Sequence, residues 1–465
     1  MPADPTDIFF QLLAEAQHHL DEASAHLPAN PAPPLDEAAS AILQEVATKL
    51  HDNYPYAHTL YAGQMLKPPH PIARAAYTLA MSVNPNNHAL DGGRASSAME
   101  VEAVAALAKM FRWPQHLGHL TSGGTFANLE ALWIAGQLAP GKAIAASDQA
   151  HYTHSRISGV LGLPFVTIPS DNTGRIDLRA LEALLQTESI GTVVVTLGTT
   201  AIGAVDPLAE ILKLQQHHKF RIHVDAAYGG YFTLTGNLSP ESRVAFDAIP
   251  QADSIVIDPH KHGLQPYGCG CILFRDPAPD HKIARLYKHD SPYTYFSSKD
   301  LHLGEISLEC SRAGASAVAL WSTQKLLPYV PGGAFAQDLE SSHKAALELY
   351  RRLNSSPHFV APTFPPALDM VFWGAKSSTP ELSSALAQQI FDEAARHDLH
   401  LALASLPVRF FPPGTWPQAE PTAKVTCLRS VLMKPDHLLW IDQIWERLED
   451  AVHPFVPVNT SLESA

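Results

Sequence analysis

The sequence predicts an α/β protein built on a mostly parallel sheet, and three observations carry the prediction. Short apolar runs at 143–147, 165–169, 192–197, 221–224, 254–257 and 270–274 alternate with helical stretches across 120–275. These runs are apolar on both faces, the pattern of strands covered by helices on both sides. The polar residues His151, Thr200, Asp225 and Lys261 each follow the carboxyl end of a run, which is where ligands gather in such sheets.

Taken in order, residues 8–26 place Phe9, Leu12, Leu13, Ala16 and Leu20 at the spacing of an amphipathic helix. The stretch PANPAPP at 28–34 is a stiff linker. A second helix is expected over 37–50, so 1–90 reads as an N-terminal helical arm followed by loops on the substrate side. YPYAHTLYAGQMLKPPH at 54–70 mixes aromatics with Pro and Gly too irregularly for a regular element. The asparagines of Val83-Asn84-Pro85-Asn86-Asn87-His88 suit turns, where their side chains hydrogen-bond the backbone. Ser97 and Glu100 are spaced as a capping box, opening a helix with Val101, Val104, Ala105 and Ala108 inward. Residues 91–340 form the large α/β domain. Beyond Leu326 the texture changes. Expected strands at 368–373, 401–408 and 425–433, with helices at 380–397 and 437–448, describe a small α+β domain placed at 341–465.

At 465 residues with 46% hydrophobic content, the chain can bury a large core. A formal charge of −14 and the lack of a Lys/Arg run argue against a nucleic-acid or anionic-membrane surface. No apolar run approaches the roughly 20 residues of a membrane span. The N-terminus carries acidic residues where a signal peptide carries basic ones, so a cytoplasmic address is expected. The four cysteines, Cys269, Cys271, Cys310 and Cys427, are too few and too irregular for a disulfide framework. Cys269-x-Cys271 has no second His or Cys pair at zinc spacing, and no metal site is expected.

The chemistry centres on DSIVIDPHKHGLQPYGCGCILFR at 253–275: a β-branched run, a loop broken by Gly263, Pro266, Gly268 and Gly270, and a second run. Lys261 sits at the end of the first. Flanked in sequence by His260 and His262 rather than by carboxylates, it can shed its proton when desolvated or crowded by cations. A neutral amine then condenses with an aldehyde to a Schiff base. A solvated loop lysine is the competing reading. Upstream, RIHVDAAYGG at 221–230 closes a strand on Asp225, followed by small residues that let a flat ring approach. A buried Asp225 can pair with a protonated pyridine nitrogen. In LTSGGTFANL at 120–129, Gly123, Gly124 and Thr125 precede a helix whose Phe126, Leu129, Leu132 and Trp133 share a face. Free amides, a hydroxyl and the positive helix end suit a phosphate. An amine, a carboxylate for the ring nitrogen and a phosphate cradle are what pyridoxal phosphate requires of a protein.

At these residues the sequence resembles the pyridoxal-dependent decarboxylase family, the group II amino-acid decarboxylases of fold type I. TSGGTFANLEAL, SDQAHYTHSRISGVLGLP, VVVTLGTTAIGAVDP, IHVDAAYGGYF and DSIVIDPHK occur in the family's order. Fainter similarity runs from about Asn53 to Pro435. The resemblance implies a fold-type I, PLP-dependent transferase-like architecture. It also implies a homodimer with shared active sites, the N-terminal arm packing on the partner subunit. Lys261 is then the Schiff-base lysine, and His151 the histidine against the cofactor ring, able to assist proton transfer near the reacting carbon. Gly123, Gly124, Thr125, Asp258 and His260 are expected at the phosphate, where Asp258 needs its charge turned away or compensated. Thr200, or its neighbour Thr199, is expected near the cofactor's phenolic oxygen or the stacked histidine, and Ala227 at the cofactor.

Tyr293, in SPYTY at 291–295, is the first candidate for the loop tyrosine that returns a proton to Cα, against the reading of a surface aromatic. Tyr61, Gln64, Met65 and His88 are candidate substrate contacts, and Arg312 is a candidate to reach a phosphate or carboxylate in a neighbouring subunit. The implied reaction is decarboxylation of an L-amino acid to the amine and carbon dioxide. The aromatic 54–65 stretch, with Lys67 and Arg74 as the nearby cations, leans the substrate toward an aromatic or other large side chain. The alternatives are an aminotransferase, for which Arg409 or Arg429 would clamp the carboxylate, a decarboxylating aldehyde synthase, and a non-catalytic PLP-binding protein.

Overall fold

The computed structural model describes residues 5–28, 35–88, 91–275, 282–287, 307–420 and 422–455. Seven strands form the main sheet: β1 (Leu117–Thr121), β2 (Ala143–Ser147), β3 (Phe165–Ile168), β4 (Ile190–Thr196), β5 (Arg221–Asp225), β6 (Ser254–Ile257) and β7 (Gly270–Phe274). Their spatial order is β1-β7-β6-β5-β4-β2-β3. From β3 across to β6 the neighbours run parallel, because helical crossovers return the chain to the same edge each time. Strand β6 leads into β7 through 258–269 without a helix, so these two are antiparallel, and β7 is antiparallel to β1. Two reversals cancel. Strand β1 therefore points the same way as β6, and the carboxyl ends of β1, β2, β4, β5 and β6 open on one edge.

Strand β1 is absent from the sequence reading because His119 sits at its centre. The fold accepts this histidine by burying it completely with its Nε2 2.8 Å from Glu130 Oε2, an oxygen that also accepts from the Tyr287 hydroxyl at 2.6 Å. All of β4 is buried, and Val193, Val195, Ile222, Val224, Ile255 and Ile257 join one large core. Burying each such side chain contributes about 1.5–3 kcal/mol. Helix Gly124–Leu138 has more than the single apolar face expected of it. Ala127, Ala131 and Ile134 pack with Val256 and Ile272, while Leu132 and Ala135 pack with Ile144 and Val194. This places the helix start firmly against the sheet edge.

The expected capping box is not formed. The helix begins at Arg94, with Gly93 as a cap that makes no side-chain bond, so Ser97 and Glu100 lie inside it and are buried. Long-range partners claim Glu100: its carboxylate accepts from Arg312 Nη1 at 2.6 Å, from the Leu120 amide at 3.0 Å and from Asn87 Nδ2 at 2.6 Å. Val104 and Ala108 face the core as expected, whereas Val101 is 47% exposed. The first N-terminal helix is Pro5–Glu22 and the second Glu37–Leu50; the second buries no residue.

The C-terminal part holds an antiparallel sheet of β8 (Phe359–Val360), β9 (Met370–Ala375), β10 (Ala402–Pro407) and β11 (Lys424–Val431), ordered β10-β11-β9-β8. Helices Pro380–Arg396 and Ile441–Val452 pack on it, the latter beginning at Ile441 rather than at His437. Helix Ala334–Ser355 belongs to both parts: Phe335 and Leu339 join the large core, Ala345, Leu349 and Leu353 the small one. This single helix runs through the boundary expected at 340/341. The 54–70 stretch is irregular but tied to the small sheet, through Ala62 N to His400 O at 2.9 Å and Val431 N to Ala62 O at 2.7 Å. This approach requires Gly63, where a Cβ would come 2.5 Å from Leu401 O. Among the described residues, no helix is long and apolar enough to cross a membrane.

Candidate active site

At the shared strand edge lies a cavity of about 400 Å³. Each strand end contributes to it: Gly123, Gly124 and Thr125 after β1, His151 after β2, Thr200 after β4, Asp225 and Ala227 at β5, and Asp258, His260 and Lys261 after β6.

Around Lys261 the chain turns tightly, its amide donating to Asp258 O at 2.9 Å. The turn folds Asp258 back, so that Lys261 Nζ lies 3.1 Å from Asp258 Oδ2, with His260 Nε2 3.5 Å from the same oxygen. The cationic crowding expected from the flanking histidines is therefore corrected: in space Lys261 meets a carboxylate. His262 is fully buried and faces away, its Nε2 3.2 Å from Asp369 Oδ2. The same contacts compensate Asp258 where it overlies the helix start. There a Cβ on Gly124 would stand 2.6 Å from Asp258 Oδ2, which is why glycine occupies the position. Burial lowers the His260 pKa, with Lys261 adding to the effect against the pull of Asp258, and keeps the ring neutral. His260 Nδ1 and Asp258 Oδ1 are buried without a hydrogen-bond partner among the described residues.

At the opposite end, Asp225 is buried, and both its oxygens are held: Oδ1 accepts from the Ala227 amide at 3.1 Å, and Oδ2 lies 2.8 Å from His154 Nε2. Burial alone would raise the pKa of this carboxyl. The His154 bond and charge, together with Lys261 and His223, outweigh burial and hold it well below the usual carboxylate range. His154 was not foreseen. The available signal was its place three residues after His151, at the start of helix Thr153–Val160, but its partner is 71 residues away in sequence.

His151 takes a hydrogen bond on Nδ1 from the Thr153 amide at 3.3 Å, and the Thr153 hydroxyl is 2.8 Å from the same nitrogen. The neutral ring therefore carries its proton on Nε2. Burial lowers the His151 pKa, with Lys261 and His154 adding to that effect against Asp225 and Asp258. The exposed Tyr152 ring lies 4.5 Å from the imidazole. Of the two threonines, Thr200 lines the cavity, whereas Thr199 is fully buried and its hydroxyl accepts from Ala204 N at 3.0 Å.

The candidate substrate contacts lie outside this lining. Tyr61 is buried beside Tyr56 at 4.9 Å, with Lys434 Nζ 5.3 Å from its ring. Gln64 accepts from Arg429 Nη1 at 3.3 Å, Met65 packs against the large core, and His88 donates its amide to Asn86 Oδ1 at 3.1 Å. Asn86 thus does turn chemistry, whereas Asn87 is fully buried against Glu100 and Ser96. Lys434, which sequence reasoning left out, joins Lys67 near this stretch, and both ammonium groups donate to backbone carbonyls, of Tyr61 and Met433.

Arg429 Nη2 donates to Thr200 O at 2.8 Å, so it reaches the cavity's rim; Arg409 instead donates to Ser170 Oγ at 2.9 Å. Arg312, the candidate to reach a neighbouring subunit, bonds Glu100, Leu120 O and Asn87 O within the chain. Glu309, also unforeseen, accepts from the Ser122 amide at 3.0 Å, beside the Gly-Gly turn. Tyr293 lies outside the described residues.

The cavity fits pyridoxal phosphate. It joins an amine, an ionised carboxylate and a glycine-lined helix start in one space, and His260 Nδ1 is buried there without a hydrogen-bond partner among the described residues.

A family model described as the pyridoxal-dependent decarboxylase conserved domain matches residues 16–373. An L-tyrosine decarboxylase of Enterococcus faecium is 28% identical, over 77% of this chain and 76% of its own length. An L-2,4-diaminobutyrate decarboxylase of Rhizobium meliloti is also 28% identical, over 77% of this chain and 73% of its own. In fold, the chain is similar to mouse CSAD in apo form, with a TM-score of 0.76 at 20% identity, covering 97% of this chain and 92% of that one. It is equally similar to Oryza sativa TDC with PLP and tryptamine, with a TM-score of 0.76 at 18% identity, covering 98% and 99%.

Proposed function

The chain belongs to the pyridoxal-dependent decarboxylase family, and from that premise we propose that this PLP-dependent amino-acid decarboxylase acts on an aromatic L-amino acid as a cytoplasmic homodimer. One observation carries the site assignment: Lys261, Asp225, His151 and the Gly123–Thr125 turn line a single cavity. When bound, pyridoxal phosphate supplies an electron sink that takes up the pair released as the Cα–carboxylate bond breaks.

The chain's own residues anchor and aim that group. Lys261 provides the amine, and Asp225 pairs with the ring nitrogen. The amides of Gly123 and Gly124 and the Thr125 hydroxyl, at a helix start, hold the phosphate, with His260 beside them. Asp258 holds Lys261 in place. His151 would lie against the ring, and with Nδ1 taken up by Thr153 it would offer its Nε2–H as a hydrogen-bond donor on that side. Thr200 and Ala227 line the same cavity and would border the ring. Tyr293 is the candidate to return a proton to Cα. Tyr61, Gln64, Met65 and His88, outside the cavity lining, are the candidate substrate contacts.

The aromatic preference is supported by a relative named as a tyrosine decarboxylase and by the clustered rings of Tyr54, Tyr56 and Tyr61 in the 54–65 stretch. Dimerisation is supported by helix Glu37–Leu50, whose Ile42, Leu43, Val46 and Leu50 are 45–63% exposed. Such a stripe calls for cover by a second copy. The free cysteines suit a reducing compartment.

The test is incubation of purified protein with each L-amino acid while carbon dioxide, amine, keto acid and ammonia are followed. Amine and carbon dioxide in equal amounts from tyrosine or another aromatic substrate are expected. Keto acid without carbon dioxide would overturn the assignment in favour of transamination, with Arg429 at the rim as the carboxylate clamp.

A further inference from the structure

We infer that His154 is a positioning residue for the cofactor ring, holding the Asp225 carboxylate in the orientation that presents its remaining lone pairs to the ring nitrogen. The inference rests on the reading of Asp225 as that nitrogen's partner and goes one residue further. Two bonds from different elements immobilise the carboxylate. The Ala227 amide holds Oδ1 from the loop after β5, and His154 Nε2 holds Oδ2 from helix Thr153–Val160, at 2.8 Å with both side chains buried.

His151 lies just before the same helix, its Nδ1 fixed by Thr153 at the helix start. One short stretch of backbone thereby sets both the group against the ring face and the clamp behind the ring nitrogen's partner.

The neighbouring histidine cannot take over this task. Asn128 Nδ2 donates to Gly124 O at 2.9 Å, which turns Asn128 Oδ1 toward His223 Nε2 at 2.8 Å and makes that nitrogen the donor. The Ser254 hydroxyl occupies His223 Nδ1 at 2.9 Å. His223 is thus a neutral ring with both nitrogens engaged, 6.5 Å from His154, and burial depresses its pKa to about 3. Lys261 is the further group whose charge acts on Asp225. Without His154, the buried carboxylate would lose its strongest partner and turn toward Lys261 or take up a proton, and either change weakens its hold on a protonated ring nitrogen.

The test reads cofactor binding rather than turnover. Apoprotein is titrated with pyridoxal phosphate and with its 1-deaza analogue, in which carbon replaces the ring nitrogen, and the ratio of the two Kd values is compared among variants. The wild type is expected to prefer pyridoxal phosphate, and Asp225→Ala to abolish the preference. His154→Phe is expected to cut the preference by about tenfold, the equivalent of one pKa unit at the nitrogen. A merely structural role would weaken both ligands together and leave the ratio intact. If His154→Phe fails to fold by circular dichroism, His154→Ala carries the same test. A ratio within twofold of wild type in the folded His154 variant, with Asp225→Ala still collapsing it, overturns the inference alone. An unchanged ratio in Asp225→Ala overturns the reading beneath it as well.

Discussion

Gly124→Ala probes the cofactor site through a single methyl group. The added Cβ would stand 2.6 and 2.8 Å from the two Asp258 carboxylate oxygens and 3.0 Å from Cγ. The carboxylate must move by roughly an ångström to restore ordinary contact, and that motion pulls Oδ2 off Lys261, now 3.1 Å away. Asp258 is buried, with its amide held by Ala227 O at 3.2 Å, so it yields poorly. Overpacking of this kind costs about 1–3 kcal/mol, offset by about 0.5–1 kcal/mol from replacing glycine within a helix. The net expectation is a loss of about 1–2 kcal/mol in urea unfolding of the apoprotein and at least about tenfold weaker cofactor binding, one unit of RT ln 10 for a disturbed phosphate end. Gly159→Ala is the control, because that helical glycine has nothing within 4 Å of its built Cβ, and it should be neutral or stabilising by up to about 1 kcal/mol. Should Gly124→Ala match Gly159→Ala in both stability and cofactor affinity, Asp258 does not overlie the helix start and the phosphate-end geometry argued above is wrong.

Lys261→Ala should abolish borohydride fixation of the cofactor to the protein and lower decarboxylation by about a thousandfold or more; peptide mapping that still finds label on another lysine would disprove the anchor. Glu100→Ala leaves the buried Arg312 guanidinium, the Leu120 amide and the Asn87 amide short of an acceptor, so a loss of about 3–5 kcal/mol is expected in denaturant unfolding, and a loss below about 1 kcal/mol would show the network to be dispensable. His223 binds its proton at about pH 3 in the folded chain, depressed by burial, against about 6.5 unfolded. The unfolded chain therefore holds more protons across that window, and stability falls as pH drops below about 6.5. Between pH 6.5 and 4.5 this amounts to as much as about 2.5 kcal/mol; His223→Gln should flatten that part of the profile, and an unaltered slope refutes the neutral buried ring.

Much of the site was legible because its signals are local. Strand β6 announces itself by four consecutive apolar or small positions, and Lys261 by its place just beyond them. Gly123-Gly124-Thr125 reads as a helix start whichever way the chain later folds, and the alternation of runs and helices implies that β2, β4, β5 and β6 end on one edge. Local rules failed where a distant residue outbid them. Ser97-x-x-Glu100 has the spacing of a cap, yet Glu100 serves Arg312, 212 residues away, and the helix starts elsewhere. Strand β1 hides a histidine that alternation would expel, because Glu130 and Tyr287 supply buried partners.

The sequence by itself determined strands β2 to β7 and the helix after Gly123, and that an amine, a carboxylate and a phosphate cradle follow strand ends; these depend on hydrophobic period and backbone stereochemistry, properties of neighbouring residues. Tertiary structure alone decided the electrostatics: that Lys261 meets Asp258 rather than two histidines, and that His154 and Ala227 clamp Asp225. Charge interactions act across space at a few ångströms and are strongest where water is excluded, and neither proximity nor burial exists until the sheet has brought its carboxyl ends together.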